Sequence, residues 1–144
     1  MDEPLVTITG HIGGEIRRRQ AGETPVADFN VAVTPATRDR STDDWVPGVT
    51  QWYRVTAWRR LAVHCGDSLR SGEPVVVHGR LTHRTWVNNA GASVTDAEID
   101  AVYVGHDLRR GTAVFSRAAP SPSALSSTAP SDGAADEASR EEAA

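Results

Sequence analysis

Lysine is absent from this sequence, so the 15 residues of the Lys and Arg class are all arginine. Cysteine occurs once, at Cys65, so no internal disulfide can form, and the apolar neighbours of this thiol predict core packing rather than catalysis. No apolar run approaches the roughly 20 residues that cross a bilayer, and the N-terminus lacks the pattern of a signal peptide. These absences predict a soluble cytoplasmic protein.

The formal net charge of -4 is distributed unevenly along the 144 residues. Residues 1–117 contain 14 arginines and 14 acids, whereas residues 118–144 contain five acids and one arginine. From Arg117 onward the chain is rich in Ala, Ser and Pro, and Leu125 is its only large apolar residue. Such a segment buries too little surface to offset its ordering entropy. We expect a folded domain over 1–117 and a disordered acidic tail over 118–144.

The domain is dominated by short β-rich runs between Gly, Pro and Asp clusters. Between the third and fourth runs, the spacing of Leu61, Cys65 and Leu69 predicts one short helix. The region from Pro35 to Val49 is polar and predicts a long loop, and Asn88–Gly91 has the chemistry of a hairpin turn. The predicted strands are Leu5–Ile12, Ala27–Thr34, Trp52–Trp58, Pro74–Trp86 and Ala97–Val104. This order predicts an all-β fold, a five-stranded OB barrel with one helix between strands three and four.

Period-two alternation separates the two faces of the third and fourth strands. The faces expected to pack the barrel carry Tyr53, Val55 and Ala57 on the third strand, and Val75, Val77, Gly79 and Leu81 on the fourth. The opposite faces carry Trp52, Arg54, Thr56 and Trp58, and His78, Arg80, Thr82, Arg84 and Trp86. Aromatic rings beside guanidinium groups are how sequence-tolerant proteins hold unpaired bases. The two strands together predict a continuous aromatic and basic track for a nucleic-acid strand.

The predicted contacts fall into two classes. Bases are expected to stack on Trp52, Trp58 and Trp86, although core packing or a subunit interface is the alternative for these rings. Phosphates are expected to contact Arg54, Arg80 and Arg84, and the basic run Arg17, Arg18 and Arg19 in a turn-rich region is a further candidate. Trp45 in the polar loop either closes over a bound strand or packs the loop against the barrel.

Enzyme motifs are lacking. The five histidines are dispersed and no cysteine cluster accompanies them, so we expect no metal site. The glycines of Gly10–Gly14 lack the Lys-Ser or Lys-Thr of a phosphate-binding loop and are expected to form a bend or bulge. We predict a binding protein without catalytic activity or cofactor.

Four segments resemble the bacterial single-stranded DNA-binding proteins. They are Ile8–Gly13 (ITGHIG), Val26–Ala32 (VADFNVA), Thr50–Val55 (TQWYRV) and Leu69–Leu81 (LRSGEPVVVHGRL). A fifth, around Gly105-His106-Asp107-Leu108 and Gly111-Thr112-Ala113, looks actinobacterial. The resemblance implies an OB barrel assembled as a homotetramer, with aromatic residues matching Trp52, Trp58 and Trp86 stacked on bases of single-stranded DNA. It also implies roles in replication, recombination or repair, and association with the nucleoid.

The chain departs from the family pattern at two places. A further stacking aromatic aligns with Thr37, so that contact is expected to be lost, and Tyr53 takes the place of a residue at the family's subunit contacts. Replicative members end in an acidic tip with an apolar aromatic residue that recruits replication and repair proteins, whereas this sequence ends in Arg140-Glu141-Glu142-Ala143-Ala144. The resemblance therefore implies an accessory paralogue that recruits those partners poorly. Two other functions remain open, a protein-interaction subunit and an RNA-binding chaperone.

Overall fold

The structure is a computed structural model that describes residues 2–119. Its elements are β1 (Leu5–Ala21), β2 (Thr24–Val33), β3 (Ala36–Arg38), β4 (Trp45–Pro47), β5 (Gln51–Trp58), α1 (Arg59–Ser68), β6 (Pro74–Val87) and β7 (Ser93–His106). Five strands close into a barrel in the order β1-β2-β5-β7-β6, which confirms the predicted all-β barrel. In sequence, α1 lies between β5 and β6, the third and fourth barrel strands.

The barrel core follows the period-two pattern. On β2, Phe29 and Val31 are buried, and on β5, Val55 and Ala57 are fully buried. Val75 and Val77 of β6 and Ile99 of β7 are also inaccessible. Because neighbouring side chains on a strand point to opposite faces, these residues leave the intervening positions on the outside of the barrel. Tyr53 packs at the edge of this core and is half-buried.

Helix α1 packs its apolar side against the same core. Ala62 and Cys65 are buried, and Leu69 follows the last turn as another buried side chain. Burial raises the pKa of the Cys65 thiol to about 11, so the group stays neutral at physiological pH. Cys65 is therefore a core residue, as the sequence predicted.

Strand β1 is longer than the sequence indicated. It continues through a register shift between Gly13 and Arg17, which is the expected bulge, and then pairs with β2 as far as Ala21. Arg17, Arg18 and Arg19 thus belong to a strand, and their prediction as part of a turn-rich region was wrong. Because successive side chains of a strand point to opposite faces, Arg18 points away from the side that carries Arg17 and Arg19.

A bulge also changes the outward pattern of β7. Tyr103 pairs with His78 but Ala101 pairs with Gly79, so Val102 is an additional residue on β7. Uninterrupted period-two alternation over Ala97–Val104 would place Tyr103 on the same face as Ile99, but one inserted residue reverses the alternation. Tyr103 is 55% exposed and its ring stacks on that of His78, with centroids 4.7 Å apart.

The region predicted as a loop contains a small ribbon. Strands β3 and β4 pair as a two-stranded sheet in which Arg38 lies opposite Trp45. Within the part of the chain that the structure describes, this ribbon packs against no other helix or strand. It continues from the end of the β2–β5 pair, where the Thr34 and Thr50 hydroxyl oxygens are 2.7 Å apart.

The compact unit that contains the barrel ends at Ala113. The predicted division at Arg117 remains a prediction, because most of the acidic segment 118–144 lies outside the described residues. None of the helices within 2–119 has the length and apolar character needed to span a membrane. Over the same residues no group of His, Cys, Asp or Glu side chains is arranged to hold a metal ion.

Candidate nucleic-acid interface

The outward-facing residues of the barrel form rows across neighbouring strands. In one row, Arg17 of β1 pairs with Asp28 of β2, which pairs with Thr56 of β5. Thr56 pairs in turn with Asp100 of β7, and Asp100 with Arg80 of β6. Cross-strand partners share a face of the sheet. This polar row therefore crosses the outside of the barrel through all five strands.

A groove of about 520 Å³ lies on this surface, and we call it the Trp52 groove. It contains three of the predicted contact residues, the ring of Trp52 and the side chains of Arg17 and Arg54. The remaining lining residues are Gly13, Gly14, Glu15, Asp28, Phe29, Asn30, Asp96 and Ala97. An exposed ring between two guanidinium groups can stack on a base while the arginines contact the adjoining phosphates.

The ring of Trp52 lies over Gly13. A Cβ placed at residue 13 would be 2.5 Å from the six-membered part of the indole, so a glycine is required there for this ring position. Trp52 nevertheless remains 58% exposed. Gly13 therefore allows the ring to lie against the barrel wall while its other face is open to solvent.

Asp28 organises the β2–β5 side of the groove. Its carboxylate accepts hydrogen bonds from Arg19 Nε at 2.6 Å and from the Thr56 hydroxyl at 3.0 Å, and Arg54 Nη2 lies 3.9 Å away. Burial alone would raise the pKa of the Asp28 carboxyl, but the hydrogen bonds from Arg19 and Thr56, with both guanidinium charges, hold that pKa below its ordinary value. Asp28 is thus a buried anion that fixes the arginines around it.

Strand β7 interrupts the predicted track. It lies between β5 and β6 in the barrel and presents three carboxylates outward, the β7 acidic row of Asp96, Glu98 and Asp100. Glu98 pairs in register with Arg54 on one side and Thr82 on the other. The expectation of a continuous aromatic and basic track was wrong, because the strand order places acids between its two halves.

Trp86 and Arg84 lie on the far side of this row, near the end of the β6–β7 hairpin. The indole N–H of Trp86 donates to Asp96 Oδ2 at 2.8 Å, and the ring is 42% exposed. Arg84 is exposed and lies opposite Asp96 in the ladder. Arg80, further along β6, donates to Asp100 Oδ2 at 2.7 Å, a bond that raises its pKa. Because Asp96 also lines the Trp52 groove, its bond to the indole of Trp86 connects that ring to the groove.

Trp58 is separated from the groove. It ends β5, pairs with the buried Val26 of β2 and is 41% exposed. It lies six positions after Trp52 on the strand, a distance of roughly 20 Å along the barrel surface. The structure therefore places both tryptophans on one strand but only Trp52 in the groove.

The basic run of β1 divides between two faces. Arg17 lines the Trp52 groove, and Arg19 is held by Asp28 on the same side. Arg18 points to α1, where its guanidinium donates to Asp67 at 2.7 Å and passes close to Gly66. Of the three arginines, the structure brings Arg17 alone to the groove without a carboxylate partner among residues 2–119.

Trp45 has the highest exposure of the four tryptophans, at 70%. It lies on the β3–β4 ribbon and does not pack against the barrel, so the second of its two predicted alternatives was wrong. Its neighbour Arg38 pairs with Asp43 at 2.6 Å. Thr37, where the resemblance implies a lost stacking contact, lies on the same ribbon opposite Val46.

Sequence analysis did not identify Gly13, Asn30 and Asp96 as parts of the site. A signal for Asn30 was present, since alternation placed Asp28, Asn30 and Ala32 on the outer face of β2. Only the pairing of β2 with β5 shows that this face adjoins Trp52 and Arg54. Asp96 carried no comparable signal, because its contact with Trp86 depends on the register of the hairpin.

A family model described as the single-strand binding protein family matches residues 5–107. This chain belongs to that family. Single-stranded DNA-binding protein 1 of Streptomyces coelicolor is 43% identical over 119 residues, which cover 83% of this chain and 76% of that protein. Single-stranded DNA-binding protein 2 of Streptomyces avermitilis is 42% identical over 117 residues, 81% of this chain and 73% of its own length.

Two solved structures from the same family share the fold. The small single-stranded DNA-binding protein from Streptomyces coelicolor superposes with a TM-score of 0.71 at 41% identity, over 77% of this chain and all of that one. The second such protein of Mycobacterium smegmatis, SSBb, gives a TM-score of 0.61 at 27% identity, over 81% of this chain and all of its own. These matches confirm the resemblance to the actinobacterial branch. Membership in a family of binding proteins confirms that the chain is no enzyme.

Proposed function

We propose that this protein binds single-stranded DNA without sequence preference. In this proposal bases stack on Trp52, Trp58 and Trp86. The observation that carries it is the Trp52 ring, 58% exposed over Gly13 and beside Arg17 and Arg54, in a chain of the single-strand binding family. Stacking tolerates any base, because every base presents a π face.

We rank the proposed phosphate contacts by whether each arginine already binds a carboxylate. Arg17, Arg54 and Arg84 face the outside of the barrel and have no carboxylate within 3.5 Å in the described structure. Arg19, Arg80 and Arg18 each donate to a carboxylate at 2.6–2.7 Å. A phosphate would have to compete with those carboxylates, so we assign the main electrostatic contacts to the first three.

The first test is tryptophan fluorescence during titration with oligothymidine, on the wild type, Trp52→Ala and Trp52→Phe. Removing one stacked base weakens binding by roughly tenfold to a hundredfold. Trp52→Phe keeps a ring and should recover most of the affinity. Unchanged affinity in a folded Trp52→Ala variant would place this ring outside the DNA contact, and absence of binding by the wild type would overturn the proposed function.

Salt dependence separates DNA binding from a protein-interaction role. The logarithm of the binding constant should fall with the logarithm of salt concentration by about 0.7 for each phosphate neutralised. Arg17→Ala should reduce this slope by about 0.7, whereas Arg18→Ala, whose guanidinium faces α1, serves as the matched control. Competition between DNA and RNA oligomers tests the RNA-chaperone alternative.

We also propose that the protein assembles as a homotetramer. Support comes from an exposed apolar and aromatic patch on the side formed by β1, β6 and β7, where Leu5, Val102 and Tyr103 are each more than half exposed. Patches of this kind on a barrel mark contacts between proteins. Sedimentation of the wild type should give four copies, and Tyr103→Glu should give smaller species. A monomeric wild type would contradict this proposal.

We propose that the protein acts in replication, recombination or repair. Its proposed location is the cytoplasm, in association with the nucleoid. Recruitment of replication and repair proteins depends on the C-terminal sequence, which lies outside the described residues. A pull-down comparing the Ala143-Ala144 end with a replicative tail tests the accessory-paralogue hypothesis. Equal capture of the partners would end it.

A further inference from the structure

The hydrogen bond between Trp86 and Asp96 has no evident role in the folding of the barrel. Both residues lie in the outer part of the β6–β7 hairpin, where residues 82–87 of β6 are all exposed. Indole Nε1 donates to Asp96 Oδ2 at 2.8 Å, and this is the only side-chain hydrogen bond of either group in the described structure. The ring of Trp86 is not among the side chains that pack against the barrel core, so this bond restrains its orientation.

Asp96 accepts a hydrogen bond from the indole of Trp86 and does not pair with the nearby guanidinium of Arg84. Arg84 lies directly opposite Asp96 in the β6–β7 ladder, yet among residues 2–119 the two form no ion pair within 4.0 Å. A hydrogen bond to an ionised carboxylate is stronger than one between neutral groups. The arrangement holds the ring of Trp86 and leaves the guanidinium of Arg84 available to a phosphate.

The same carboxylate belongs to the wall of the Trp52 groove, together with Trp52 and Arg54. A negative charge at this position repels the phosphates of any strand that enters the groove. A base-stacking ring gains affinity when it is held in place before binding, because less side-chain entropy is then lost. Positioning of Trp86 is therefore a benefit that can offset the repulsion.

We propose that Asp96 is a positioning residue for DNA binding, which holds the indole of Trp86 beside the Trp52 groove so that both rings stack on one strand. This inference rests on the proposed function. It separates two effects of one side chain, since the hydrogen bond strengthens binding through Trp86 and the charge weakens it. Asp96→Asn keeps an acceptor oxygen and removes the charge, whereas Asp96→Ala removes both.

The experiment measures affinity for oligothymidine at low salt by fluorescence anisotropy of a labelled oligomer. We expect Asp96→Ala to bind about threefold more weakly than the wild type, because loss of one net hydrogen bond outweighs the weak repulsion from a single surface charge. Asp96→Asn should bind at least as tightly as the wild type. Glu98→Ala is the matched control, since Glu98 lies on the same face of β7, two residues away, and makes no side-chain hydrogen bond within the described chain; it should not weaken binding.

A double-mutant cycle with Trp86→Phe tests whether Asp96 acts through the indole. Phenylalanine keeps a stacking ring but has no N–H, so in this background Asp96→Ala should cause no further loss. A loss that persists undiminished in the Trp86→Phe background would overturn the proposal. So would tighter binding by Asp96→Ala that matches Glu98→Ala, because then only the charge matters.

The outcomes distinguish this inference from the proposed function. If the wild type fails to bind oligothymidine, the proposed function fails. If the wild type binds and Trp86→Ala weakens binding while Asp96→Ala does not, stacking stands and positioning by Asp96 is overturned. Thermal unfolding of each variant checks folding, and Asp96→Val, which also removes both the acceptor and the charge, replaces Asp96→Ala if that variant does not fold.

Discussion

The two halves of the outer barrel face use carboxylates in different ways. On the β2–β5 half, the side chain of Asp28 is 6% exposed and receives bonds from Arg19 and Thr56. On the β7–β6 half, the β7 acidic row lies at the surface, and Asp100, 42% exposed, pairs with Arg80. Three positive or hydroxyl groups surround the buried acid, whereas each surface acid has at most one side-chain hydrogen-bond partner in residues 2–119.

This difference shows that burial determines whether a carboxylate on a DNA-binding face stabilises the fold or acts on the ligand. A buried carboxylate is destabilising unless it is fully bonded, so Asp28 is committed to its partners and contributes to the fold. Surface carboxylates are solvated and remain free to act on a ligand through their charge. The β2–β5 half therefore presents fixed arginines, and the β7–β6 half presents a ring beside charges that oppose phosphate.

The largest expected effect comes from removing the buried acid. Asp28→Ala should lower the free energy of unfolding by about 1–3 kcal/mol, because Thr56 and Arg19 lose a charged acceptor. Asp100→Ala, in the same row but at the surface, should change it by less than about 1 kcal/mol. Denaturant unfolding measures both. Equal losses would remove the distinction between the two halves.

Lowering the pH should reproduce part of the loss of stability expected for Asp28→Ala. The pKa of Asp28 in the folded protein lies below its ordinary value of 3.8, so the stabilisation by Asp28 is fully present above pH 3.8 and is lost as the pH falls through the lower folded pKa. Unfolding of the wild type and Asp28→Asn should be compared between pH 5 and pH 2. The stability difference between them should shrink in this window, and a constant difference would contradict the assignment.

A smaller effect is expected from crowding the Trp52 ring. Gly13→Ala places a methyl group against the indole, so the ring must move and affinity for oligothymidine should fall roughly fivefold, within the range of one stacked base. Gly105→Ala is the control, since a Cβ there meets no atom within 4 Å. Binding that is unchanged in Gly13→Ala would show that the ring position over Gly13 is not the one used.

The smallest effect concerns the charge of the β7 acidic row. Glu98→Gln should tighten binding about twofold at low salt and have no effect at high salt, because the repulsion between surface charges is weak and screened. Glu23→Gln, in the turn between β1 and β2, should leave affinity unchanged. Weaker binding by Glu98→Gln would assign this side chain a direct contact with the bases instead.

Much of the fold was predictable from alternation alone. The inner positions Val55, Ala57, Val75 and Val77 were assigned correctly, because burial on one face of a strand imposes a period of two on the sequence. Trp52 and Arg54 followed as outer residues for the same reason. The bulges were harder to predict. The one at Gly13 was expected from its glycines, whereas the one at Val102 has no glycine in β7 itself to mark it, since Gly79 at this register shift lies on the partner strand β6. This second bulge reversed the placement of Tyr103.

Alternation in the sequence was enough to show which side of β5 and β6 faces the core, and that aromatic rings and arginines share the outer side of these strands. Only the tertiary structure decided which strands are neighbours, and hence that β7 separates Trp52 from Trp86 and that Asp96 joins them. The physical reason is that alternation is a local property of the backbone. Strand order and register depend instead on pairings between residues distant in sequence, which only closure of the barrel settles.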